Sequence, residues 1–165
     1  MIRVGILTVS GDGARGADED ATVAALRETL LYGPYEVVAV DTVPDEAAQI
    51  KRVLRLWSDR DGLDLILTVG SIGLSAKDHT PQATSEMLEK AVPGIPEFIR
   101  LMTFKNEPSI ALTRGVAGSR GKTLILNLPG GQSAATAALE VALPLVLNAV
   151  ESITGRSLAS PARSS

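Results

Sequence analysis

Apolar positions recur along this chain in two rhythms. Residues 2–9, 35–43 and 64–69 are short runs dominated by apolar or β-branched residues, the pattern of strands buried in a sheet. Between them the spacing becomes helical. Val23, Ala24, Leu26, Leu30 and Leu31 follow Asp20, and Ile50, Val53, Leu54 and Trp57 fall at i, i+3, i+4 and i+7, one stripe of a helix. Tyr32-Gly33-Pro34 ends the first helix, and residues 59–62 close the second. Asp45 stands where it can cap the second helix. Thr80-Pro81, a cap followed by proline at the first helical position, opens a third helix to about Lys90, and residues 95–104 form a fourth. Residues 109–113 read as strand four and 123–128 as strand five. The link between them is shorter than the roughly dozen residues a parallel crossover takes, so they are expected to be antiparallel neighbours. Pro129-Gly130-Gly131 leads into a long helical pattern that Ser133 can cap, with Leu139, Leu143, Val146, Leu147 and Val150 on its apolar face. Pro144 inside that pattern predicts a kink or two consecutive helices.

Strands alternating with helices predict an α/β three-layer sandwich: a mainly parallel mixed sheet, one antiparallel strand, and helices on both faces. There is no internal repeat and no linker. Residues 1–156 are expected to form a single domain, and the Ser-, Pro-, Ala- and Arg-rich stretch 157–165 a disordered tail.

Composition narrows the chemistry. The chain has 165 residues, enough for one self-sufficient core. It has no cysteine and a single histidine, His79. Disulfides, thiolate zinc sites, cysteine nucleophiles and multi-histidine metal sites are thereby excluded. A net charge of −3 argues against nucleic acid as a partner. The N-terminus lacks the basic and apolar regions of a signal peptide, and no segment offers the ~20 consecutive apolar residues that span a bilayer. The expectation is a soluble cytoplasmic protein without a membrane partner.

In an open α/β sheet, ligands bind beyond the carboxyl ends of the strands. There this chain collects residues 10–20, Pro44-Asp45, residues 70–78 and residues 129–133. Two of its motifs are decoys. Gly11-Asp-Gly13-Ala-Arg-Gly16 matches a dinucleotide-binding fingerprint, but Ala17-Asp18-Glu19-Asp20 reads as further loop and sets negative charge where a phosphate would lie. A dinucleotide-binding protein is therefore a remote alternative. Gly118-Ser-Arg-Gly121-Lys122-Thr123 resembles the end of a P-loop, yet its first glycine is replaced by Val116 and it leads into a strand; it reads as a hairpin tip. Asp45 and Asp78 each follow a strand and adjoin a helix start. If the two strands end on one edge, the carboxylates converge. Two carboxylates without thiol or clustered imidazoles suit Mg²⁺, which keeps water and substrate phosphate as its other ligands. Capping and helix-dipole roles are the plainer alternative for both. Glu46, Lys77, Glu97 and Arg100 are expected to be surface charges, and His79 a loop residue without an orienting partner.

Taken together, Leu7-Thr-Val-Ser10, Val43-Pro-Asp45-Glu46, Leu65-Ile-Leu-Thr-Val-Gly70 with Gly73-Leu-Ser75, Asp78-His-Thr80-Pro81-Gln-Ala83-Thr84, Val92-Pro-Gly94, Arg114-Gly-Val-Ala-Gly118 and Leu126-Asn-Leu-Pro-Gly130 resemble the molybdopterin adenylyltransferase family of molybdenum cofactor biosynthesis and its close paralogues. The resemblance implies a mixed-sheet fold, a homotrimer or hexamer, and Mg²⁺-dependent transfer of an adenylyl group from ATP to molybdopterin with release of pyrophosphate. It implies that Asp45 and Asp78 are catalytic and metal-binding. It implies substrate contacts at Ser10, Thr68, Gly70, Ser71, Ile72, Gly73, Ser75, Thr113, Asn127, Leu128, Pro129 and Gly130. Departures from the family pattern are Ser71-Ile72 in a turn that usually reads Gly-Gly-Thr-Gly, Gly11 where Asp is frequent, and Gln132-Ser133 where a Pro-Lys pair is usual. They remove a hydroxyl and a cation that could face phosphate, so a non-catalytic pterin- or nucleotide-binding paralogue is the alternative.

Overall fold

The computed structural model describes residues 1–158. Among these, six strands form one sheet in the order β2-β1-β3-β6-β5-β4. The strands are β1 (Ile2–Ser10), β2 (Tyr35–Pro44), β3 (Leu65–Val69), β4 (Lys90–Ala91), β5 (Ala117–Arg120) and β6 (Thr123–Leu128). β2, β1, β3 and β6 run parallel; β5 runs against both of its neighbours. The expected mixed sheet with a single reversed strand is what forms.

Alternation along the strands sorts the side chains into two cores. Ile2, Val4 and Ile6 of β1, with Leu65, Leu67, Leu124 and Leu126, face α1 (Ala17–Leu30), α4 (Gly94–Thr103) and α5 (Gln132–Thr154). Leu7, Val9, Ile66 and Ile125 face α2 (Ala47–Arg55), the π-helical turn Leu56–Arg60 and α3 (Thr80–Met87). The stripe Ile50, Val53, Leu54 and Trp57 is buried as its spacing predicts, each fully buried side chain of this kind contributing about 1.5–3 kcal/mol. At Gly5 the Trp57 indole packs directly against β1. A Cβ at Gly5 would stand 2.6 Å from the indole, and the β1–β2 register shifts at this point.

Four local expectations are corrected. Residues 109–113 are not a strand: Pro108–Leu112 is a 3₁₀ helix whose only buried residue is Ile110. Pro108 fixes its own φ and lacks an N–H, and the Thr113 hydroxyl donates to the Ile110 carbonyl at 2.6 Å, closing the turn. The antiparallel partner of β6 is instead β5, joined to it through Gly121-Lys122. α3 ends at Met87, so Lys90 belongs to β4 rather than to a helix. α5 is one continuous helix, not two consecutive ones, with Pro144 inside it and facing solvent, where water can bond the carbonyl its ring leaves unpaired. Its N-cap is Gly131, not Ser133. By length and composition α5 could cross a membrane, but Ala135, Ala138, Leu139, Ala142, Val146 and Val150 are fully buried in the first core.

At the amino ends of the strands, one carboxylate gathers distant parts of the chain. Asp64 accepts from the Arg3 amide at 2.9 Å and from the Arg156 guanidinium at 2.7 Å. Ser157 and Leu158 follow without helix or strand; the rest of the expected tail, from residue 159 on, lies outside the described residues.

Candidate functional site

Because β2, β1, β3 and β6 are parallel, residues 11–16, Asp45, residues 70–79 and residues 129–131 emerge on the same edge of the sheet. A further segment joins them. β5 begins opposite the carboxyl half of β6, with Ala117 paired to Leu126, so Thr113, Arg114, Gly115 and Val116 arrive at this edge too.

Asp45 is buried, and it does not cap α2, whose N-cap position is Glu46. It sits at the start of α3. Its Oδ1 accepts the His79 backbone N–H at 3.1 Å, and the His79 ring nitrogen Nδ1 lies 3.1 Å from Oδ1 and 3.0 Å from the Asp45 carbonyl. A negative charge is favourable at that position, where amide dipoles point outward. The histidine therefore does have an orienting partner, 34 residues earlier in the chain. His79, not Thr80, is the N-cap residue of α3.

Asp78 is half-exposed and turned back on its own loop: Oδ2 accepts the Ser75 amide at 2.7 Å. Burial works against its charged form, but hydrogen bonds from Ser75 and Gly73 and the Arg114 charge outweigh it, holding the carboxyl below the ordinary aspartate range. Arg114 secures the loop. Its Nε donates to the Gly73 carbonyl at 2.7 Å and its Nη2 to the Asp78 carbonyl at 2.9 Å, while its amide donates to the Ile72 carbonyl at 2.8 Å. With its amide oriented to satisfy both neighbours, Gln82 accepts from Arg114 Nη1 at 2.7 Å and donates to the Asp78 carbonyl at 3.2 Å. One side chain thus fixes both ends of residues 73–78, a role the sequence does not announce for Arg114.

Asp45 and Asp78 reach the same loop: Asp45 bonds His79, the residue after Asp78, while the Asp78 carboxylate turns back onto Ser75. Among the described residues, no donor meets Asp45 Oδ2, whereas the Asp78 carboxylate is held by Ser75 and Gly73. No group of three or more His, Asp or Glu side chains gathers for a metal among them. The donor set is two carboxylates, which fits a hard cation completed by water and substrate oxygens and does not fit a structural metal site.

The turn after β3 is held closely. Gly70 has φ +97°, and a Cβ there would come 2.9 Å from the Val9 carbonyl. Its amide donates to the Leu128 carbonyl at 3.0 Å, and its Cα lies 3.4 Å from where a Cβ on Gly130 would be, so the β3 and β6 turns touch. Ser71 has φ +58° and is the sole non-glycine residue in this region of backbone space among the described residues. Substituting Ser71→Gly is expected to raise stability by roughly 0.5–1 kcal/mol, relief of left-handed strain exceeding the chain entropy glycine adds; a urea midpoint that falls would contradict this. Ile72 is buried. It lies with Pro96, Ile99 and Ile110 beneath the loop, so the residue standing in the family's hydroxyl position packs inward instead of facing the edge.

Thr68 and Asn127 lie deeper than a ligand-facing role requires. Asn127 Nδ2 donates to Thr68 Oγ1 at 2.8 Å and Thr84 Oγ1 at 3.0 Å, and its Oδ1 accepts the Val116 amide at 3.0 Å. These bonds pin β6, β3, α3 and the Arg114 segment together. Leu128 and Pro129 are buried beside the turn, whereas Gly130 and Ser75 are exposed. Ser10 is half-buried, its hydroxyl on the Ala14 carbonyl at 3.2 Å. Thr113 and Arg100 line a cavity of about 260 Å³ with Pro93, Pro96 and Val116. Arg100 is half-buried here, donating to the Thr113 carbonyl at 3.4 Å, while Glu46, Lys77 and Glu97 are exposed.

The fingerprint-like loop also changes. α1 begins at Ala17, directly after Gly16, whose amide donates to the Glu19 carboxylate at 3.1 Å. The helix still begins after the last glycine, whereas a dinucleotide motif needs it to begin among them. Asp18 and Glu19 also line the ~90 Å³ crevice beside Gly70 and Gly130, repelling a pyrophosphate at that helix start.

Residues 5–148 match the family model described as "Probable molybdopterin binding domain". The chain belongs to this family. Within it, a molybdopterin adenylyltransferase of Helicobacter pylori is 34% identical over 157 residues, covering 93% of this chain and 89% of that protein. The Drosophila melanogaster molybdenum cofactor synthesis protein cinnamon is 36% identical over 154 residues; the match covers 92% of this chain but 26% of that protein, about a quarter of its length. Among solved structures, a molybdopterin biosynthesis enzyme, MoaB, from Thermus thermophilus superposes with a TM-score of 0.89 at 54% identity, covering 96% of this chain and 99% of that one. Asp45, Asp78 and the glycine turns all lie inside the region matched by the family model.

Proposed function

We propose that this chain acts in molybdenum cofactor biosynthesis as a molybdopterin adenylyltransferase. The observation that supports the reading is that Asp45 and Asp78 arrive on one sheet edge, Asp45 bonded to the residue after Asp78, where the glycine turns and the α3 start also lie. In the reaction, a terminal phosphate oxygen of the pterin attacks the α-phosphorus of ATP. A new O–P bond forms, the bond to the β-phosphate bridge breaks, and pyrophosphate leaves with the electron pair. Mg²⁺ bound by Asp45 and Asp78 would neutralise phosphate charge as it develops. The chain's own groups do the positioning. Arg114 keeps residues 73–78 in one conformation, and Gly70 and Gly130 let the backbone come close to an anion.

Names carried by relatives at about one-third identity support the enzyme class. The same reading has the chain assemble as a homotrimer or hexamer, for which exposed Leu101, Met102, Phe104 and Leu112 offer apolar surface. A binding-only paralogue is the second reading, favoured by Gln132 and Ser133, which are exposed beside the β6 turn and bring no cation to it. Pyrophosphate release from ATP plus molybdopterin separates the two. The adenylyltransferase reading expects release that stops when Mg²⁺ is chelated; no release above background in the presence of Mg²⁺ leaves the binding role.

A further inference from the structure

We infer that His79 is a positioning residue that divides the labour of the two Asp45 oxygens, committing Oδ1 to the protein and presenting Oδ2 to a divalent cation. The inference rests on the two-carboxylate site described above and concerns a residue to which the family resemblance assigns no part.

His79 reaches Asp45 twice, through its backbone N–H and through Nδ1, and both contacts converge on Oδ1. A carboxylate held by one donor can still rotate about its terminal torsion; held by two donors from different directions, it cannot do so without breaking both. The Asp45 carbonyl also faces Nδ1, at 3.0 Å. Two acceptors on that nitrogen require it to carry the proton, which leaves Nε2 as the unprotonated nitrogen of the neutral ring. The Asp45 side chain is only 4% exposed, whereas that of His79 is 44% exposed. The buried member is therefore fixed by the exposed one. In metal sites generally, an imidazole–carboxylate bond of this type sets ligand orientation, and losing it weakens metal affinity by about 10- to 100-fold.

The choice of substitution separates positioning from bulk. Asparagine can place an amide N–H near the Nδ1 position, glutamine carries it one bond further out, and alanine has none. All three retain the backbone bond to Oδ1. Mn²⁺ serves as the probe of cation binding, read by electron paramagnetic resonance on the full chain without nucleotide or pterin. His79→Ala and His79→Gln are expected to weaken Mn²⁺ binding about 10-fold or more, with His79→Asn recovering most of it and thermal midpoints changing little among the three. Because His79 is the sole histidine, nitrogen-15 spectra of the wild-type imidazole give one tautomer directly. The Nδ1–H form is expected, changing in Asp45→Asn.

Equal Mn²⁺ affinity in wild type and His79→Ala overturns the inference, as does an Nε2–H tautomer. Absence of Mn²⁺ binding in the wild type overturns it together with the cation site. Mn²⁺ binding that depends on His79, without pyrophosphate release from ATP and molybdopterin, supports the positioning role while removing the adenylyltransferase reading.

Discussion

Asp78→Asn is expected to lower the rate of Mg²⁺-dependent pyrophosphate release by roughly 10²–10³-fold while leaving the fold intact, the scale seen when one preorganised charge-stabilising group is removed. The substitution keeps shape and a carbonyl oxygen that can still take the Ser75 amide, so the loop held by Arg114 retains its bonds to the Gly73 and Asp78 carbonyls. What disappears is the negative charge. An unchanged rate would sink the assignment of Asp78 to the site. The same variant carries a pH signature. Asp78 is held below the ordinary aspartate range by Ser75, Gly73 and Arg114 against the opposing effect of burial. Its charged form therefore stabilises the native state above the unfolded value of about 3.9, and that contribution is lost as pH falls through the lower native value. The stability difference between wild type and Asp78→Asn should be constant near neutrality and close only in acid, below about pH 4. Acid titrations that remain parallel would show that those hydrogen bonds do not favour the ionised group.

Asn127→Leu is expected to destabilise the protein by about 3 kcal/mol, because it leaves the half-buried Val116 N–H without a partner and strips the buried Thr68 and Thr84 of their shared donor. For a domain of this size that corresponds to a fall in thermal midpoint of roughly 6–12 °C. Asn127→Asp, which preserves the acceptor for Val116, should lose less when measured at a pH where the aspartate is protonated. A leucine variant that melts with the wild type would mean the Asn127 network is not what joins β6 to the loop edge. The prediction also bears on how Asn127 is understood. Its position near the carboxyl end of β6 suggests a ligand contact, whereas its hydrogen bonds are spent inside the protein.

How much of this was legible in the chain depended on the range of the interaction. The stripe Ile50–Val53–Leu54–Trp57 could be read because burial of one helix face writes its own period into the sequence. The alternation of strands and helices, and the gathering of four loops at one edge, followed from the same local rhythm. Residues 109–113 failed because a short apolar run looks alike as strand or 3₁₀ turn, and only the position of Ile110 in the core decides between them. α1 starts at Ala17, before its apolar period does, because Asp18, Glu19 and Asp20 look like loop in sequence but are favourable in a first helical turn. Asp45 and Asp78 could be nominated from spacing and resemblance. Their restraints could not, since His79 meets Asp45 across 34 residues and Arg114 meets Asp78 and Gly73 across 36 and 41. Ile72 was expected to face the ligand; its burial in an apolar pocket depends on α4 and the 3₁₀ helix, neither of which is adjacent in sequence.

The Asp64 junction sets how this protein can be handled. It ties Arg3 and Arg156 to one carboxylate at the amino ends of the strands, the side of the sheet opposite Asp45, Asp78 and the glycine turns. A dye, a biotin or a surface tether introduced near either of those residues would stand a full strand length away from the glycine turns. Immobilised on a sensor chip through that side, the molecule would hold its loop cluster outward, toward whatever flows past.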